Sequence, residues 1–239
     1  MIKAVVFDVD DTLYDQKAPF VAALRTQLQL PADYDLDPIF QSYRQQSMQA
    51  YAEVASGRWS REEMAVNRLN IALQQQNLPG VTTAQALDFE QAYTHGLNHI
   101  ELFPGLKTAL DRLHSQFQLG IITNGKTQHQ LAKVMRLQMH RWIDREAILT
   151  SEDAGVEKPD PQIFTMMNRR LGLRASEVAY VGDCYSMDVK AAKKAGWHAF
   201  WFNHRNLEIP DGEWIPDQTV GNALELQDLL LALSAVPEF

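Results

Sequence analysis

Three aspartates, Asp8, Asp10 and Asp11, stand within four positions near the start of the chain, directly after the apolar run Ala4-Val5-Val6-Phe7. Carboxylates this close repel one another unless a cation or a shared proton lies between them. The spacing therefore points to Asp8 and Asp10 sharing a hard metal ion, with one of the two also attacking a substrate. Further along, Thr123-Asn124-Gly125-Lys126 joins a hydroxyl, backbone N–H groups and a glycine ahead of a helical stretch, a combination able to bind phosphate oxygens. In Glu157-Lys158-Pro159-Asp160-Pro161, Pro159 biases Lys158 away from helix. An ammonium fixed there can neutralise a nucleophilic carboxylate and a phosphate together. Finally, Gly182-Asp183-Cys184-Tyr185-Ser186-Met187-Asp188 places two acids about one helical turn apart, able to converge on one cation. Such hard oxygen ligands suit Mg²⁺, which keeps waters and takes phosphate oxygens. Singly, these are a turn, a solvated lysine and a helix acid favoured by the dipole. Together they direct the reading to phosphoryl chemistry.

The elements that must present these groups follow from the apolar pattern. Ala4–Phe7, Gln118–Thr123, Ala147–Thr150, Val178–Val181 and Trp197–Phe202 read as short buried strands. Helical stretches alternate with them: Pro104–Ser115, Thr127–Met139, Pro161–Leu171, Ser186–Ala195 and Leu224–Leu233. That alternation predicts right-handed crossovers and a doubly wound parallel sheet, a Rossmann-like α/β core. The candidate residues then stand at carboxyl ends of strands, where open α/β sheets bind ligands. Residues 15–99 break the pattern. They are rich in helix-favouring Ala, Gln, Leu, Met and Arg, with Pro31, Gly57 and Pro79-Gly80 as punctuation and Ser60 with Glu63 as a capping box. The expected organisation is a core of residues 1–14 and 100–239, with a helical cap of about four helices at 15–99, placed to cover a site and exclude water. Leu207–Gln218 reads as an irregular surface loop.

Composition narrows the function. The net charge of −8 and pI near 5.3 argue against a nucleic-acid polymer or an anionic membrane as partner. No apolar stretch approaches membrane-spanning length. The single cysteine, Cys184, excludes a disulfide framework and fits a cytoplasmic protein.

The ordered set Asp8-Val9-Asp10-Asp11-Thr12, Thr123-Asn124-Gly125, Lys158-Pro159 and Gly182-Asp183 with Asp188 resembles the haloacid dehalogenase (HAD) superfamily over essentially the whole chain. The helical insert after the first motif is similar to subfamily I with a cap of the first type. The stretch from Phe7 to Tyr14 is similar to the nucleotidase, flavin mononucleotide phosphatase and acylneuraminate-phosphate phosphatase groups. The resemblance implies a Mg²⁺-dependent hydrolase of a small phosphorylated metabolite. It implies that Asp8 is the nucleophile, forming an aspartyl phosphate, and that Asp10 is the general acid and base. Thr123 and the Asn124 and Gly125 amides would hold phosphoryl oxygens, and Lys158 would stabilise charge. Asp183 would coordinate Mg²⁺ with Asp8 and the Asp10 carbonyl, while Asp188 would bind a metal-bound water or orient Lys158. Asp10 argues against dehalogenation, because halide leaves without a proton. A phosphomutase and a catalytically silent metal- and phosphate-binding protein stand as alternatives.

Among the remaining residues, Asp11 reads as a turn former and Cys184 as a packed small residue. The i, i+4 pair His95 and His99 is a weak metal pattern. Asn203-His204-Arg205 is expected near the entrance of a site. Tyr14, Gln16, Tyr43, Arg44, Tyr51 and Arg58 are expected as possible contacts to a leaving group.

Overall fold

A computed structural model describes residues 1–209 and 214–234, leaving aside the side chains of Met48, Gln49, Tyr51, Ala52 and Ala55. Its contacts divide the chain into one unit of residues 1–15 and 100–239 and a second of residues 16–99.

The first unit is built on six parallel strands: β1 (Ala4–Phe7), β2 (Gln118–Thr123), β3 (Ile148–Thr150), β4 (Val178–Gly182), β5 (His198–Phe202) and β6 (Gln218–Val220), in the order β3-β2-β1-β4-β5-β6. This is the doubly wound Rossmann-like arrangement, whose strand order reverses beside its first strand. β1, β3 and β4 are buried along their whole length, which is why they read as unbroken apolar runs. Register sets the site: Phe7 lies level with Ile121 of β2 and Val181 of β4, so Asp8, Thr123 and Asp183 follow within two residues of that level at one sheet edge. Under one face, Val6, Ile122, Leu149, Ile163, Phe164, Met167, Tyr180, Trp197 and Trp201 share a buried cluster.

In the second unit, helices α1 (Lys17–Gln27), α2 (Asp37–Ala55), α3 (Arg61–Gln74) and α4 (Thr83–Leu97) pack around Phe20, Phe40, Tyr43, Phe89 and Tyr93. Phe20 meets each of the other four rings at centroid distances of 5.0–6.1 Å. Ser60 and Thr82 form capping boxes with Glu63 and Gln85, satisfying donors that each helix start would leave orphaned.

The rest of the first unit's helices are α5 (Leu106–Leu113), α6 (Thr127–Arg136), α7 (Ser151–Ala154), α8 (Gln162–Leu171), α9 (Lys190–Lys194) and α10 (Ala223–Ser234). Two local features depart from the sequence expectation. β6 closes the sheet edge where an irregular loop was expected through Gln218; three residues are too few to display strand alternation. The expected helix from Ser186 begins instead as a wide π-helical turn over Tyr185–Val189, an arrangement that recurs at functional sites.

Candidate active site

Asp8 continues the β1 ladder, its N–H donating to the Val181 carbonyl at 2.9 Å. The side chain is buried. Its Oδ1 accepts from Lys158 Nζ at 2.8 Å and its Oδ2 from the Thr12 hydroxyl at 3.3 Å. Burial pushes the carboxyl up to about 6, the Lys158 charge lowers it, and the Asp188 and Asp10 charges raise it again. Asp8 is thus short of compensating positive charge even with an ammonium against it.

Lys158 is buried and spends its three N–H donors on Asp8 Oδ1, Asp188 Oδ1 at 2.6 Å and the Tyr180 hydroxyl at 2.9 Å. Tyr180 in turn donates to the Ile122 carbonyl at 2.7 Å. Burial acts to lower the lysine's proton affinity, but Asp188 and Asp8 overcome it and hold the ammonium well above the ordinary lysine range. The backbone of Lys158 is clamped as well. Its N–H donates to Asn124 Oδ1, and its carbonyl accepts from Asn124 Nδ2, both at 2.9 Å. The side chain of Asn124 therefore positions the lysine segment.

Asp183 follows β4, its carbonyl held by Trp201 Nε1 at 2.8 Å. Among the described residues, Asp8, Asp183 and Asp188 form a buried group of possible metal ligands, offering oxygens within 4.8 Å of one another. Asp188 also accepts the Cys184 N–H at 2.9 Å on Oδ2, so both its oxygens already serve protein donors. The residue at 182 has to be glycine, since a Cβ there would lie 2.4 Å from the Asp188 carboxyl group. Burial, followed by the charges of Asp188 and Asp183, raises the Cys184 thiol and keeps it protonated.

Thr123 ends β2. Its hydroxyl is buried and has no hydrogen-bond partner among the described residues, which costs roughly 1–3 kcal/mol unless a ligand satisfies it. The Gly125 amide, expected to hold phosphate, donates to the Ser151 hydroxyl at 2.9 Å.

Asp10 is gripped by residues that sequence reasoning had not connected with it. Lys133 Nζ lies 2.6 and 2.7 Å from its two oxygens, Gln130 Nε2 lies 3.0 Å from Oδ2, and Tyr14 donates its hydroxyl to Oδ1. Burial raises the Asp10 carboxyl, but the Lys133 charge and the bonds from Lys133, Tyr14 and Gln130 outweigh it and hold the group below the ordinary carboxylate range. The one available signal was Gln130, a polar residue on the buried stripe of α6 with Val134 and Leu137. Asp11 adopts a left-handed φ of 63°, as its reading as a turn former requires. Arg205 holds it with two bonds, Nη2 to Oδ1 at 2.7 Å and Nε to Oδ2 at 3.1 Å, while His204 Nε2 donates to its carbonyl at 2.9 Å. His204 and Arg205 therefore brace the turn that carries Asp10.

In the second unit, Tyr43 donates to Glu90 Oε2 at 3.0 Å beneath the Arg68 guanidinium, 4.1 Å from the ring centroid. Arg44 stands 5.7 Å from the Phe40 ring centroid. Arg58 pairs with Glu53 at the surface, and Gln16 is partly buried. The side chain of Tyr51 lies outside the described residues. His95 and His99 have ring centroids 4.7 Å apart.

Residues 2–196 match the haloacid dehalogenase-like hydrolase family. The chain is 28% identical to a glyceraldehyde 3-phosphate phosphatase of Methanopyrus kandleri, with 98% of this chain and 99% of that protein covered. It is 32% identical to a ribulose-1,5-bisphosphate 5-phosphatase of Halopiger xanaduensis, with 85% of each covered. Among solved structures, the putative HAD-hydrolase YfnB of Bacillus subtilis, bound to magnesium, shares the fold with a TM-score of 0.69 at 23% identity, covering 96% of this chain and 98% of that one.

Proposed function

Because this chain belongs to the haloacid dehalogenase-like hydrolase family, we propose that it is a Mg²⁺-dependent phosphatase that hydrolyses small phosphate monoesters through an aspartyl phosphate on Asp8. The observation that carries the reading is the buried ammonium of Lys158 bridging Asp8 and Asp188 at the sheet edge where the Thr123 hydroxyl has no partner among the described residues. Small phosphorylated sugars are the first substrates to try, because relatives covering most of this chain are named for them.

In this reading Asp8 attacks phosphorus as the bond to the leaving oxygen breaks, and Asp10, which must enter this step protonated against the pull of Lys133, gives that oxygen its proton. Asp10 then takes a proton from the water that attacks the aspartyl phosphate, releasing inorganic phosphate and restoring Asp8. Lys158 neutralises charge on the nucleophile and the transferring group, and Thr123 donates to a phosphoryl oxygen. Asp8, Asp183 and the Asp10 carbonyl would hold Mg²⁺, an all-oxygen donor set suited to that ion. Asp188 would act on it through water while orienting Lys158. The ion, when bound, supplies charge neutralisation at the phosphoryl oxygens. No helix among the described residues is long and apolar enough to cross a membrane, and the lone cysteine fits a cytoplasmic setting.

The test is release of free phosphate, with Mg²⁺ present, from p-nitrophenyl phosphate and a panel of triose and pentose phosphates, nucleotides and other phosphorylated metabolites. A phosphomutase would return the phosphoryl group to the sugar instead. Metal and phosphate binding without turnover across the panel would defeat the enzymatic reading.

Two predictions follow from the site's chemistry. Thr123→Val removes an unpartnered hydroxyl and keeps the shape, so folding stability should hold or rise by up to about 1 kcal/mol, while kcat/KM falls roughly 10- to 100-fold. A matching loss of stability and activity would mean the hydroxyl serves the fold. The second concerns pH. Asp8 titrates near 6 without metal, so below that value Mg²⁺ must displace a proton. Its dissociation constant should be flat above about pH 6 and rise about tenfold per unit below it, as isothermal titration calorimetry at several pH values would show.

A further inference from the structure

The mechanism above uses Asp10 and leaves unused the three side chains that hold it. Gln130 is buried on α6, where an apolar residue would pack without polar atoms to satisfy. Its Nε2 donates to Asp10 Oδ2 and also to the Asn124 carbonyl, each at 3.0 Å. Lys133, one turn further along the same helix, reaches both Asp10 oxygens with its side chain only 12% exposed. Tyr14, buried and four residues after Asp10, supplies the third donor. The loop before α6 leaves room for this grip, since a Cβ at Gly125 would come within 2.9 Å of Gln130 Nε2. A buried polar cluster of this kind is weak evidence of stabilisation, because apolar replacements of similar volume are often neutral or better.

We propose that Gln130 and Lys133, with Tyr14, are positioning residues that fix the Asp10 carboxyl group relative to the Thr123–Gly125 loop. The inference rests on the phosphatase reading for its consequence and on the geometry for its substance. The proton donor for the leaving oxygen and the acceptor for the attacking water work at the same in-line position of phosphorus. One fixed place for the carboxyl group therefore serves both half-reactions. Gln130 ties that place to the phosphate-side loop through Asn124, so acid and phosphoryl group are aligned by one helix.

The test compares kcat/KM, which reports the step that phosphorylates Asp8, for p-nitrophenyl phosphate and for a simple alkyl phosphate. The alkoxide leaving group needs the proton far more than p-nitrophenolate does. Lys133→Met and Gln130→Leu should each lower the alkyl value about 10- to 100-fold and the aryl value less than about threefold. Lys133→Arg should recover most of the loss, and neither apolar variant should add to the loss in an Asp10→Asn background. Equal losses on both substrates, an undiminished loss in the Asp10→Asn background, or no loss would overturn the proposal. A crystal structure of Lys133→Met judges it without any assay: the Asp10 carboxyl group should leave its present position, and its staying there would also overturn the proposal. A wild-type chain that hydrolyses neither ester would instead defeat the phosphatase reading, with the crystal structure still deciding the positioning role.

Discussion

Asp8→Asn should lose at least about ten-thousandfold in kcat, the scale on which removal of a covalent nucleophile acts, and yet be no less stable than the wild-type protein without metal. The two halves of the expectation have one cause. Asp8 is buried, and its folded pKa of about 6 lies above the ordinary value of 3.8. A group with a raised folded pKa stabilises the fold below its unfolded pKa, and that contribution is lost as pH rises through the folded value. At pH 7 the metal-free protein therefore carries an uncomfortable buried carboxylate. Asparagine carries no charge there and keeps an oxygen to accept from Lys158. It lacks the second anionic oxygen that would attack phosphorus, and it is a poorer Mg²⁺ ligand. Thermal unfolding in chelator at pH 7 should give a melting temperature equal to or above wild type. Acid-quenched wild-type protein should carry the mass of one phosphoryl group on the peptide containing Asp8, and the variant should not. Activity within tenfold of wild type, or a phosphoryl group trapped on another residue, would end the assignment.

How far the sequence reaches depends on whether an interaction is local or carried by a long crossover. β1, β2 and β4 were legible because parallel strands buried on both faces read as unbroken apolar runs. Their polar ends were legible because each run stops abruptly at Asp8, Thr123 or Asp183. The groups that tune those ends come from far away in the chain. Lys133 meets Asp10 across 123 positions and Arg205 meets Asp11 across 194, and no local pattern reports either pair. Gln130 left a trace, as a polar residue on the buried stripe of α6, but helix periodicity alone does not say what it faces. The same limit applies to Gly125. A glycine before a helix suggests an open amide, and only the placement of Ser151 after β3 shows that amide engaged. β6 escaped notice because Gln218–Val220 has too few residues to alternate.

Lys158→Met should be the most damaging change to the fold and to the chemistry at once. Lys158 is the buried cation that pairs with both Asp8 and Asp188. Methionine fills much of the same volume, so the loss is electrical: two buried carboxylates remain with their shared counter-charge gone. Breaking a buried pair this way costs roughly 3–5 kcal/mol, which for a chain of this length lowers the melting temperature by about 10 °C. The penalty belongs to ionised carboxylates, so differential scanning calorimetry should find the deficit shrinking as pH falls from 7 to 5 and Asp8, already near 6 in the wild type, takes up its proton. Activity should drop about a thousandfold or more, because charge on the nucleophile and the transferring group is no longer neutralised. Lys158→Arg separates the two effects. It retains the charge, and with it most of the stability, but a planar guanidinium cannot replace a compact ammonium converging on Asp8, Asp188 and the Tyr180 hydroxyl, so activity should stay low. A Lys158→Met protein as stable as wild type at pH 7 would show that the Asp8 carboxylate does not depend on this lysine for its counter-charge, and the electrostatic account of the site would fall with it.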